Sequence, residues 1–100
     1  MKPVNTYIVL RRCGWGALEG VRESAKRAES ALEWAPDEIS WVRSYFLAEP
    51  DGSLGTVCVY RATSPEAVRA HSRRAGLPVD EIVAVAETLV VELDPVEAAV

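Results

Sequence analysis

The segment ISWVRSYFLAEPDGSLGTVCVYRATSPEAVRAHSRRAGLP (residues 39–78) decides the fold. Residues 39–48 and 55–62 are rich in aromatic and β-branched side chains and read as strands. Between them stands Glu49-Pro50-Asp51-Gly52-Ser53, where proline, glycine and an Asx side chain combine into a turn signal. The two strands are therefore predicted to form a hairpin. Thr63 or Ser64 then offers a hydroxyl N-cap; with Ser64 as the cap, Pro65 falls at the first helical position, where its missing N–H is no loss, and Glu66 at the second. This helix is predicted to run to about residue 75. Gly76 is placed as its C′ residue, and Pro78 prevents the helix from resuming.

Upstream, residues 5–12 carry Tyr7, Ile8, Val9 and Leu10 and read as a first strand, broken by Cys13-Gly14-Trp15-Gly16. Over residues 17–34 the apolar positions Leu18, Val21, Ala25, Ala28 and Leu32 recur at helical spacing, and Pro36 ends that helix. The stripe is narrow and largely alanine, so the helix can lie close to whatever it covers. Downstream, residues 81–93 supply a fourth strand. The order βαββαβ is the ferredoxin-like α+β pattern, a four-stranded antiparallel sheet with two helices on one face and the first and third strands at its centre. Residues 1–100 are read as a single domain with its core at about 5–93, forming a dimeric α+β barrel.

One hundred residues with 49% apolar content suffice for one modest core. The net charge is −4 and the charges are mixed; the basic groups Arg11–Arg12 and Arg69, Arg73, Arg74 are short and not interleaved with aromatics. That pattern argues against nucleic acid as a partner. No apolar run reaches bilayer length and no secretory leader is legible at the N-terminus, so a cytoplasmic address without membrane attachment is expected. Cys13 and Cys58 are then expected to be reduced.

With two helices on one face, the other face of the sheet is left bare. Strand alternation places side chains on one face or the other. If the apolar residues Ile8, Leu10, Val42, Phe46, Val57 and Val59 face the helices, the bare face carries Tyr7, Arg11, Trp41, Arg43, Tyr45, Cys58 and Tyr60. Such large amphipathic groups suit a surface that is buried yet still needs hydrogen bonds. Two uses remain open. The face can seal a homodimer, or it can leave a pocket between two stacked sheets for an anionic or aromatic small molecule. The second use includes a small dimeric enzyme of oxygenase or isomerase type, with Tyr7, Arg43, Tyr45 and Tyr60 lining its pocket.

The stretches Trp41-Val42-Arg43-Ser44-Tyr45, Val57-Cys58-Val59-Tyr60-Arg61-Ala62, Pro65-Glu66-Ala67-Val68-Arg69 and Arg73-Arg74-Ala75-Gly76-Leu77-Pro78, with Tyr7-Ile8-Val9 before them, resemble a family of small bacterial proteins of unknown function described as nickel-responsive or nickel-binding. The likeness spans about residues 7–85, and it implies a ferredoxin-like fold, a homodimer and nickel as the ligand of the family. Leu10 and Arg61 stand where acidic residues are usual in that family. His71 is the sole imidazole and hence the metal-ligand candidate. It is expected at the border of the apolar face of the second helix, on the opposite side of the sheet from Cys58. A structural histidine near the helix end is the competing reading.

Overall fold

A computed structural model describes residues 3–92. Its elements are β1 (Asn5–Trp15), α1 (Leu18–Ala31) followed by a 3-10 turn (Leu32–Trp34), β2 (Ile39–Ala48), β3 (Leu54–Ala62), α2 (Pro65–Ala75) and β4 (Glu81–Ala84). The four strands form one antiparallel sheet in the order β2-β3-β1-β4, so β1 and β3 are central as expected. The hairpin turn closes through Gly52 N–H to the Glu49 carbonyl, and Gly52 has a φ of 89°. The Asp51 carboxylate accepts from both the amide and the hydroxyl of Ser53.

α2 begins as its sequence dictates, with the Ser64 hydroxyl accepting from the amide of Ala67 and Pro65 in the first turn. It ends on Gly76, whose φ of 70° puts it in the left-handed region. The amides of Gly76 and Leu77 then reach back to the carbonyls of Arg73 and Ser72, satisfying acceptors that the helix end would leave open. α1 buries Val21, Ser24, Ala28 and Ala31, a face rotated from the expected stripe, with Leu18 exposed. Ala28 and Ala31 meet Ala75 of α2, and the Arg27 guanidinium donates to the Ala75 carbonyl at 2.9 Å.

Three expectations are corrected. β1 is not broken at Cys13. Instead its register slips between Arg11, opposite Thr56, and Trp15, opposite Leu54, with Cys13 at a φ of 53°. This bulge is held from outside by Glu49, which accepts from the Arg12 guanidinium at 2.8 and 3.0 Å and from the Cys13 amide at 2.9 Å. The carboxylate fits because position 55 is glycine; a Cβ there would collide with it and lie 2.5 Å from the Arg11 carbonyl. β4 is shorter than expected. It pairs with β1 only from Tyr7 to Leu10, and after Val85 N–H bonds the Thr6 carbonyl the chain leaves the ladder. Residue 93, the expected end of that strand, lies outside the described residues.

The third correction concerns which face is which. Tyr7, Val9 and Arg11 of β1 and Thr56, Cys58, Tyr60 and Ala62 of β3 are buried toward the helices, while Ile8, Leu10, Val57 and Val59 alternate to the other side. The physical reason lies in the helices. Apart from His71, their inner faces are built from alanine, serine and valine, including Ser24, Ala28, Val68, Ser72 and Ala75. Small groups leave volume under the helices, and close packing requires that large side chains from the sheet fill it. Val9 and Val68, with no exposed surface, each contribute roughly 1.5–3 kcal/mol by burial.

Candidate functional site

β2 adds a further twist to the face assignment. Trp41 lies opposite Tyr60 and Arg43 opposite Val59, so Val42 is an inserted residue and the alternation inverts across it. Trp41 therefore faces the helices, stacked on Tyr60 with ring centroids 6.3 Å apart and its indole N–H on the Ser44 hydroxyl. Arg43 and Tyr45 face the uncovered side. Of the seven residues predicted to share the bare face, the structure divides five from two: Tyr7, Arg11, Trp41, Cys58 and Tyr60 lie under the helices, and Arg43 and Tyr45 outside.

The layer under the helices is unusually polar. Arg11 is 1% exposed; its Nε donates to the Pro78 carbonyl at 2.7 Å and its Nη2 to the Ser72 hydroxyl at 2.8 Å. Tyr60 is fully buried, and burial pushes its phenol up to about 12, so it is a neutral donor. His71 is also buried rather than at a border, edge-on to Tyr60 at 5.3 Å. Burial first, then the charges of Arg11 and Arg74, lower its imidazole to about 4. Among the described residues, the Arg11 Nη1, the Thr56 hydroxyl, the Tyr60 hydroxyl and both ring nitrogens of His71 have no hydrogen-bond partner. Cys58 is buried on this same side of the sheet, contrary to the expected separation from His71, while Cys13 is exposed.

The uncovered side is a different surface. Ile8, Val42, Tyr45 and Val59 form an apolar floor, with Arg43 and Arg61 upon it. Residues 85–92 run beside this floor and enclose a groove of about 760 Å³. Leu89 and Val91 of that segment are 85% and 86% exposed.

A family model described as nickel responsive protein SCO4226-like matches residues 7–85. The chain belongs to that family. The SCO4226-like chain also matches the crystal structure of SCO4226 from Streptomyces coelicolor A3(2), with a TM-score of 0.68 and 19% identity over 84% of this chain and 99% of that one. At that identity the likeness establishes the ferredoxin-like α+β fold. No curated protein matches. Among the described residues of this SCO4226-like chain, no three His, Cys, Asp or Glu side chains come together as a metal cluster. Leu10 and Arg61 both point to the uncovered side, from adjacent central strands. Among the described residues, no helix is long and apolar enough to cross a membrane.

What the sequence reading missed was the inward arginine. Arg11 and Arg12 are consecutive, and alternation sends one into the core and the other to Glu49. The signal available was the alanine and serine content of both helix faces, which calls for large partners from the sheet.

Proposed function

We propose that the protein acts as a homodimeric binding protein, two copies stacking their sheets through the face that α1 and α2 leave uncovered. The observation that carries this reading is the apolar floor of Ile8, Val42, Tyr45 and Val59, continued by the exposed Leu89, Val90 and Val91. A contiguous patch of this kind is uncommon on soluble monomers. Its charge is self-complementary: Arg43 and Arg61 stand on the floor, and Glu87 and Glu92 on the flanking segment. A two-fold axis brings the floor of each copy to the segment of the other. Val59→Arg, placed at the centre of β3, is expected to yield a folded monomer by sedimentation velocity, with an unchanged far-UV spectrum. A Val59→Arg protein that still sediments as a dimer contradicts this choice of face.

Nickel reaches this reading through the family description. The described residues do not fit a nickel site within one chain, because nickel needs three or four convergent donors. His71 is the single imidazole and is sealed against Tyr60, and Leu10 and Arg61 on the uncovered face carry no lone pair to offer a metal. A binding role for a small molecule draws its support from the groove. Its volume, about 760 Å³, falls in the range of about 300–1,000 Å³ typical of ligand sites. Arg43, Tyr45 and Arg61 on its walls favour an anionic or aromatic compound. Tyr7 and Tyr60 take no part in such a pocket, since both lie across the sheet from it.

A further inference from the structure

Beyond Val85 the chain has the composition of a strand without forming one. Residues 87–92 read Glu-Thr-Leu-Val-Val-Glu, with β-branched side chains at Thr88, Val90 and Val91, yet among the described residues they join no ladder. Leu89, Val90 and Val91 are 85%, 63% and 86% exposed. In an extended chain Leu89 and Val91 share one face, and Thr88 and Glu92 lie on the other. A segment of this pattern, with neither a ladder partner nor an apolar cover, is incomplete in a single chain.

The sheet offers a complementary edge. β2 has 10 residues and, among the described strands, is hydrogen-bonded to β3 alone. It carries no proline and no lysine, residues that commonly keep an edge from pairing with another chain. Its register with β3 slips only around Val42 and is regular over residues 43–48.

Within one sheet β4 and β2 are opposite edges. When two such sheets stack about a two-fold axis running along the strands, the β4 edge of each lies over the β2 edge of the other. The Val85 amide donates to the Thr6 carbonyl, and Thr6 is level with Arg61 of β3 and, through it, with Ser40 of β2. The axis preserves that level. Stacked sheets lie about 10 Å apart and an extended residue spans about 3.3 Å, so residues 85–87 cross the gap. The chain bends at Ala86, where it leaves its own ladder. Residues 88–92 then lie alongside β2 and parallel to it, since the opposite direction leads past its first residue, Ile39.

We propose that residues 88–92 of each copy add as a fifth strand to the outer edge of β2 in the other copy, closing the two stacked sheets into one barrel. The inference rests on the face-to-face dimer proposed above and assigns the segment that locks it. Exchange of identical elements between two copies adds main-chain hydrogen bonds to the apolar contact of the faces. Leu89 and Val91 turn into the interface, and Thr88 and Glu92 face water.

The test uses the full chain, as a dimer assembled from equal amounts of isotope-labelled and unlabelled protein. Isotope-filtered NOE spectra are expected to show contacts between residues 88–92 of one chain and β2 of the other. Two prolines supply a second readout. Neighbouring amides of a strand point opposite ways, so of Leu89→Pro and Val90→Pro one removes a ladder bond and the other only a solvent-facing N–H. Their dimer dissociation constants should differ about tenfold. A dimer whose contacts between these segments are absent, or lie within one chain, overturns the strand exchange and leaves the stacked faces standing. Two prolines of equal effect do the same. A mass of one chain at micromolar concentration overturns the stacked faces, and this inference with them.

Discussion

The rings of Tyr60 and His71 meet edge-on inside the core, with centroids 5.3 Å apart and planes inclined by 64°. Burial at that place holds the histidine neutral. Its folded pKa is lowered from 6.5 to about 4, by burial first and then by Arg11 and Arg74. The unfolded chain takes up a proton near pH 6.5 that the folded chain refuses, so stability is full above that pH and falls as pH drops toward 4. Over the whole window the loss is roughly 3 kcal/mol. His71→Phe keeps an edge-to-face ring pair and removes the titration. Urea unfolding between pH 7 and 4 should show a falling wild-type curve and a flatter one for the variant. Parallel curves would mean that His71 is not the group being titrated.

The Glu49 carboxylate, holding Arg12 and the amide of Cys13, locks the β1 bulge to the β2–β3 turn. Hydrogen bonding to Arg12 first, then to the Cys13 amide, lowers its pKa below 4.5. Its contribution is present above about pH 4.5 and disappears as pH falls through the folded value. Glu49→Gln should therefore be less stable than wild type at pH 7, with the gap narrowing toward pH 3. A gap that stays constant would show that shape, not charge, is what Glu49 supplies.

Gly76 closes α2 with a φ of 70°, and a Cβ there would meet only Arg27 at an ordinary 3.9 Å. The expense of a side chain is thus in the backbone alone, and Gly76→Ala should destabilise the fold by about 1 kcal/mol. An unchanged or higher urea midpoint would contradict the left-handed cap.

Much of the architecture was legible because it rests on local chemistry. Ser64-Pro65-Glu66 starts a helix, Gly76 and Pro78 stop it, and Pro50 to Ser53 turns a hairpin, whatever the rest of the chain does. The site was less legible because it rests on parity. Tyr7, Arg11 and Tyr60 alternate correctly along their strands, yet the choice of inner face depends on how much room α1 and α2 leave. A preference for aliphatic residues inside selected the wrong side. Val42 shows a second limit: one inserted residue parts Trp41 from Arg43 and Tyr45, and nothing in its aliphatic side chain announces a bulge. Family resemblance anticipated the membership but not these placements.

Nickel should bind this chain poorly. His71 is the single imidazole and is buried against Tyr60, and Leu10 and Arg61 on the uncovered face carry no lone pair to offer a metal. Titration calorimetry on untagged protein, free of any added histidines, is expected to show weak or no heat. A tight, stoichiometric isotherm would contradict that expectation.

The central claim is the pairing of two uncovered sheet faces. Tyr45 and Val42 on that floor, and Leu89 and Val91 beside it, are exposed in a single chain of 10.9 kDa. Light scattering from the purified protein at micromolar concentration should give a mass of about two chains, as expected where such a patch is buried on association. A clean mass of one chain across that concentration range would contradict the account.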